Sequence, residues 1–365
     1  MCIIIPSTIG EKMTIANQKV NVVLVGCGGI SIAWLSSKAV KEDVNIIGLV
    51  DIDIEAAKKV RDKYSLQNVP IGTNLAEMID KTKPEAVFDL TIPSAHCNVT
   101  LTALEKNCHV LGEKPMAESM EDARRMAAMS KKTGKIYAVT QTRHYMPKQE
   151  RLVRFLRSGV IGDITEVHAD FFIAAHFGGF REIMKHVLIL DMAIHSFDQA
   201  RLITNENPLS VTAFEWNPKK SNYQHGASAI AAFEMTNGVI FTYRGNWTAT
   251  GNQTSWECAW RIMGTLGSVY WNGDAEYKAE LLADPNQPSC ETGGGLIRNL
   301  KQIEIPTFDE STYRSGHDGA IADFIQSIRG GTLPKTECSK NIYSLAMVIG
   351  AVESAKLGKR VNISV

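Results

Sequence analysis

No run of about eighteen consecutive apolar residues occurs in the 365-residue chain, so no segment is long enough to cross a bilayer as a helix. Neither sign of charge is in excess: Lys plus Arg and Asp plus Glu both number 39. That balance removes the global attraction a basic protein has for nucleic acid or anionic lipid, and no basic patch with interleaved aromatics replaces it. The seven cysteines are scattered and odd in number, and none forms a CxxC pair. This argues against a secreted disulfide framework and points to a reducing, cytoplasmic compartment. The leader "MCIIIPSTIGEKMTIANQK" has an apolar run too short for a signal-peptide core, and Met13 is an alternative start. Internal repeats and low-complexity tracts are also missing.

What is present exceeds one core in length, and two domains are expected. From 19 to 140, β-rich runs alternate with helical patterns: "NVVLVG" (21–26), a helix from Ile30 to about Ala39, "VNIIGLVD" (44–51), and a helix over 53–64 with Asp53 as cap. "AVFDLT" (86–91), "HVLGEKP" (109–115) and "KIYAVT" (135–140) continue the rhythm. Apolar strands separated by helices imply a parallel sheet covered on both faces, an α/β Rossmann-type domain. From 141 to 365 the grammar changes to longer alternating strands. "ASAIAAFEMTNGVIFTYRGNW" (227–247) is a hairpin turning at Asn237 and Gly238, and "WECAWRIMGTLGSVYWNG" (256–273) repeats the pattern. An α+β domain with a large, open, mainly antiparallel sheet is expected there. Helices are predicted over 316–331 and 339–359, the second able to pack back toward the first domain, and residues 278–298 read as a loop.

"VGCGGIS" follows the first strand and opens a helix. Gly26 permits the tight turn, Gly28 and Gly29 let the backbone approach a pyrophosphate, and Ile30 leads into a helix whose free N–H groups suit an anion. Asp51 ends the second strand, where its carboxylate can accept from both ribose hydroxyls of NAD and would repel a 2′-phosphate; Ile52, not Arg, follows it. NAD is therefore favoured over NADP. "DLTIPSAH" and "VLGEKP" end strands at the sheet edge that faces the ligand crevice, putting Thr91, Pro93 and His96 at the cofactor and Glu113 and Lys114 beside its reactive ring. In "LILDMAIHSFD" (188–198), Asp191, His195 and Asp198 share one helical side while Leu190, Ile194 and Phe197 root the helix. His195 can exchange a proton near neutrality, Asp191 can orient it or grip a substrate hydroxyl, and Asp198 is a candidate partner for Arg201. No metal site is assigned, although His168, His176 and His186 could supply a third ligand. Arg143, Tyr145, His176, Phe177 and Arg181 are expected to line the substrate side of the cleft; Trp247, Trp256 and Trp260 fit sheet packing better than sugar stacking.

These pieces in this order, above all "GEKP" at 112–115 and "DMAIH" at 191–195 with "TIPSAH" at 91–96, resemble the glucose–fructose oxidoreductase, inositol dehydrogenase and rhizopine-catabolism (Gfo/Idh/MocA) family. The resemblance runs from about residue 19 to 361. It implies Lys114, Asp191 and His195 as the catalytic set of an NAD(P)-dependent dehydrogenase acting on a sugar or cyclic polyol, assembled as a homodimer or homotetramer through the second sheet. The same scaffold resembles enzymes that cleave glycosides by NAD-dependent oxidation and elimination, and non-catalytic dinucleotide-bound sensors. Ser31 in place of the usual Gly or Ala, and Ala193 in place of Gly, depart from the family pattern.

Overall fold

The computed structural model describes residues 18–284 and 299–365. Its first half runs β1 (Val20–Val25), α1 (Ser31–Leu35), α2 (Lys38–Asp43), β2 (Val44–Val50), α3 (Ile54–Lys63), β3 (Ile71–Gly72), α4 (Leu75–Thr82), β4 (Ala86–Asp89), α5 (Pro93–Glu105), β5 (His109–Gly112), α6 (Met120–Thr133) and β6 (Tyr137–Val139). The strands are parallel in the order β3-β2-β1-β4-β5-β6. Because helices cover both faces, Val22, Val23 and Leu24 of β1 and Val87 and Phe88 of β4 are all fully buried, which is why these strands lack alternation. The order reverses between β1 and β4, so a crevice opens at the carboxyl ends of those two strands.

The helix expected over Ile30–Ala39 is instead two short ones. Ser36 and Ser37 interrupt it, and the Ser37 side chain accepts the Val40 N–H to start α2 afresh. Asp53 caps α3 as expected, accepting from the Glu55 N–H at 3.0 Å.

The second half begins with a 3₁₀ turn (Thr142–Tyr145), α7 (Pro147–Arg157), β7 (Ile164–Phe172), α8 (Phe180–Ile183), a π-helical turn (Leu188–Ala193) and α9 (Ile194–Thr204). It continues with β8 (Pro208–Trp216), β9 (Ser228–Met235), β10 (Ile240–Asn246), β11 (Ala259–Gly264), β12 (Gly267–Trp271), β13 (Tyr277–Leu282), β14 (Leu300–Ile303), α10 (Gly316–Ile328), α11 (Cys338–Leu357) and β15 (Val361–Asn362). Among the described residues these strands form one sheet, β14-β13-β12-β11-β7-β10-β9-β8-β15, antiparallel except for the β7–β10 pair. The β9–β10 hairpin turns where the sequence places it, with Asn237 and Gly238 at φ 56° and 76°. Residues 278–282, expected in a loop, instead belong to β13, where Ala279 and Leu281 bury one face; residues 285–298 of that expected loop lie outside the described residues.

Phe197 of α9 roots that helix on the sheet, edge-on to Phe233 at 4.8 Å and to Tyr243 at 5.3 Å between ring centroids. Helix α11 joins the halves: Leu345, Val348 and Ala351 share one apolar core with Val23 and Val87 of the first sheet and Val211 and Phe233 of the second. Helix α10, late in the chain, returns to the parallel sheet, where Ile321, Phe324 and Ile325 pack with Val22, Leu24 and Phe88. No helix among the described residues is long and apolar enough to cross a membrane.

Candidate functional site

At the end of β1 the chain turns sharply at Gly26, whose φ is +91°; a Cβ there would stand 2.6 Å from the Leu90 carbonyl and 2.8 Å from the Thr91 nitrogen. At Gly28 and Gly29 a Cβ would meet nothing within 4 Å, so both border open space. Ser31 is fully buried, and its hydroxyl donates to the Gly28 carbonyl at 2.7 Å, which shows how a hydroxyl is accommodated at that fingerprint position. Asp51 is clamped beside the turn: its Oδ2 accepts from the Cys27 N–H at 2.6 Å and its Oδ1 from the Asp53 N–H at 2.8 Å. Each oxygen retains a lone pair beyond the one so used. Burial, with Asp51 adding to it, pushes the Cys27 thiol up to about 12, so it stays protonated. Over these residues opens a cleft of about 720 Å³ lined by Gly26, Gly28, Asp51, Ile52, Asn74 and Thr91. Open backbone at two glycines with a fixed carboxylate at the end of the next strand fits a dinucleotide: Gly28 and Gly29 could take its pyrophosphate and Asp51 a ribose.

A second cleft, about 430 Å³, adjoins the first at Thr91 and Ile92, and Ile30, Pro93, Lys114, Arg181 and Asp191 also line it. The Lys114 ammonium donates to the Asp191 carbonyl at 3.0 Å and to its Oδ1 at 3.1 Å, and the Arg181 Nε donates to Oδ2 at 2.6 Å. Burial alone would raise the Asp191 carboxyl, but Lys114 and Arg181 outweigh it and hold the group below the usual carboxylate range. Asp191 lies in the π-helical turn that feeds α9, a wide-turn geometry that concentrates at functional sites. His195 follows on α9, partly buried, and is not among the residues lining this cleft. Burial first, then the charges of Lys114, Arg143 and His317, push its imidazole well below the ordinary histidine value. It is therefore neutral at physiological pH.

Other expected residues stand elsewhere. His96 is buried and bonded through Nε2 to the Thr91 carbonyl at 3.0 Å, beneath the crevice and not at its surface. Glu113 reaches the second cleft, but its Oε1 is turned inward to accept from Trp34 Nε1 at 2.7 Å and to meet His317 Nε2 at 3.3 Å. Arg143 does not line the cleft; it is buried, its Nε pairing with Glu257 at 2.6 Å and its terminal nitrogens donating to Gln199 and the Trp256 carbonyl. Tyr145 is also withdrawn, because α10 covers it and Asp323 accepts its hydroxyl at 2.7 Å. His176 is exposed beside Asn222, and Phe177 packs edge-on against Trp247 and Trp256; neither His176 nor Phe177 lines the second cleft.

Asp198 does not share a side with Asp191: it points inward, 2.7 Å from His144 Nε2 and accepting from the Ser344 hydroxyl at 2.7 Å. Helix α11 packs against α9 on that side and brings Ser344 to it. Trp247 and Trp260 are fully buried, so of the three tryptophans only Trp256 has surface to offer. His168 meets Thr242 and His186 meets Glu215, and among the described residues no three His, Cys, Asp or Glu side chains converge as metal ligands.

Sequence reasoning missed Trp34 and His317, which hold Glu113, and Leu345, Val348 and Ile349 of α11, which wall the second cleft. None carries a local motif, since all reach the site through tertiary packing.

Two family descriptions match this chain. "Oxidoreductase family, NAD-binding Rossmann fold" of the GFO/IDH/MocA group covers residues 20–141, and "GFO/IDH/MocA C-terminal domain" covers 150–270. The chain is 23% identical to a 1,5-anhydro-D-fructose reductase of Ensifer adhaerens, over 93% of this chain and 97% of that one. It is 22% identical to a D-glucoside 3-dehydrogenase of Escherichia coli, over 96% of this chain and 100% of that one. Among solved structures, an oxidoreductase from Agrobacterium radiobacter in complex with NAD+, L-tartaric acid and magnesium superposes with a TM-score of 0.77 at 19% identity, covering 94% of this chain and 98% of that one. With both halves of its architecture matched in order, the chain belongs to the Gfo/Idh/MocA family of NAD-binding oxidoreductases.

Proposed function

We propose that this oxidoreductase removes hydride from a carbinol carbon of a sugar or cyclic polyol, using Lys114, His195 and Asp191. The observation that carries the reading is an ammonium held by a half-buried carboxylate in the cleft that adjoins the dinucleotide cleft, with an uncharged imidazole four residues on. The backbone at Gly26, Gly28 and Gly29 and the carboxylate of Asp51 would hold NAD, which supplies the hydride acceptor. Lys114 has one N–H beyond the two given to Asp191, and that donor stabilises negative charge on the substrate oxygen as its proton leaves. His195 accepts the proton, a role its neutral state permits. Asp191 fixes the ammonium and offers its remaining lone pairs to an adjacent hydroxyl. The sugar-acting names of the two full-length relatives support the substrate class.

A screen of sugars, inositols and sugar acids with NAD and NADP, followed by absorbance of the reduced nicotinamide, tests this. Net reduction with at least one polyol is expected; none across the panel, with NAD shown to bind, overturns it. Asp51→Ala should raise the NAD Kd by about 10–100-fold, the worth of charge-assisted hydrogen bonds, and narrow the preference over NADP. An unchanged NAD:NADP ratio would remove the ribose assignment.

The pH profile follows from the lowered His195 value. The neutral ring is the working form, so kcat/KM for oxidation should hold as pH falls through the ordinary histidine value of 6.5 and decline only below it. An acid limb centred at or above 6.5 would show that His195 is not that base.

A further inference from the structure

Arg181 lies in the second cleft with donors to spare. Its Nε is committed to Asp191, while its two terminal nitrogens donate no hydrogen bond to the described residues, and the side chain is 32% exposed. Its position is fixed from two directions: the bond to Asp191, and the rings of Phe180 and Phe177, whose centroids lie 4.7 and 5.2 Å from the guanidinium carbon. A guanidinium so held in the cavity wall is a flat two-donor fork, the shape that matches a carboxylate bidentately.

We propose that the substrate carries a carboxylate, that Arg181 binds it, and that the polyol of the reaction above is therefore a sugar acid; this rests on the dehydrogenase reading. The cations of the lining point the same way. Lys114 and Arg181 both face the Asp191 carboxylate, and Arg181 alone keeps a free fork. Of the other lining acids, Glu113 is turned to Trp34 and His317, and Glu118 is exposed. One carboxylate matches that fork; a phosphate dianion brings a second charge, and among the described residues the lining holds no cation beyond Lys114 and Arg181. A neutral sugar would leave the fork facing hydroxyls, which form weaker bonds to it than an ionised acceptor does.

The test uses matched substrates differing at one group: glucose, glucuronate and glucose 6-phosphate, and the galactose series, with NAD and either the wild type or Arg181→Gln. The wild type should favour the acid over its neutral and phosphorylated counterparts. Arg181→Gln removes the bond to Asp191 for every substrate, so KM for the neutral sugar should rise too; KM for the acid should rise by a further factor of about 10–100. Arg181→Lys, a cation without the fork, should recover only part of the loss.

Preference for the neutral sugar or the phosphate, or equal losses for acid and neutral sugar in Arg181→Gln, overturns the proposal while the dehydrogenase reading stands. If nothing reduces NAD, that reading falls instead. Calorimetric titration of the acids into NADH-bound protein then decides, and binding that does not depend on Arg181 overturns the carboxylate site.

Discussion

His195→Ala is expected to lower kcat for polyol oxidation by about 10²–10⁴-fold, the usual contribution of a positioned general base, with the NAD Kd unchanged. Lys114→Ala should lose a similar factor by a different route, since removing a donor aimed at a developing oxyanion costs about 10²–10³-fold. The two losses should fall short of additive in the double variant, because both groups act on one oxygen. Lys114→Ala has a second consequence: Asp191 keeps Arg181 but loses the cation on its other oxygen, so KM should also rise, whereas His195→Ala should leave KM nearly alone. Stopped-flow single turnovers separate these effects from product release. A His195→Ala enzyme of near-normal kcat, or one whose NAD affinity falls with its rate, would remove the imidazole from the reaction.

Much of this was legible because some chemistry is written locally. The glycine turn, the acid ending β2 and the Asn237–Gly238 hairpin depend on φ values and strand ends that neighbouring residues specify, and the structure has them there. Lys114 and Asp191, 77 positions apart in the chain, are each marked by a short motif, although neither motif announces their direct contact. What failed was whatever depended on the third dimension. Arg143 and Tyr145 follow a Rossmann strand and look as if they face the crevice, yet α9 and α10 pack over them and Glu257 and Asp323 satisfy them. His96 sits one helical turn past Ile92, and nothing in "TIPSAH" says that its ring folds back under Thr91. Asp198 is similarly silent: its spacing from His195 suggests a shared polar side, but α11 and His144 pack there and Ser344 meets it in the core.

Gly26→Ala and Gly28→Ala should part company, although both remove a glycine from the same turn. At Gly26 the methyl would stand 2.6 Å from the Leu90 backbone, and that backbone cannot withdraw easily, since the Leu90 N–H donates to the Val25 carbonyl at 2.8 Å while the Gly26 N–H donates to Val50 at 2.8 Å. Alanine at φ +91° would therefore strain its own backbone and also force β1 and β4 apart at the crevice, together costing about 2–5 kcal/mol. Against a typical total of about 5–15 kcal/mol, the melting temperature should drop markedly even without cofactor. At Gly28 the methyl meets no atom within 4 Å, so the apo protein should melt as before, yet NAD should bind at least about 10-fold more weakly because the backbone can no longer approach the pyrophosphate. Thermal scans of both variants with and without NAD measure the contrast directly. An undiminished melting point for Gly26→Ala would contradict the packing described for the turn, and undiminished NAD binding by Gly28→Ala would place the pyrophosphate somewhere other than this cradle.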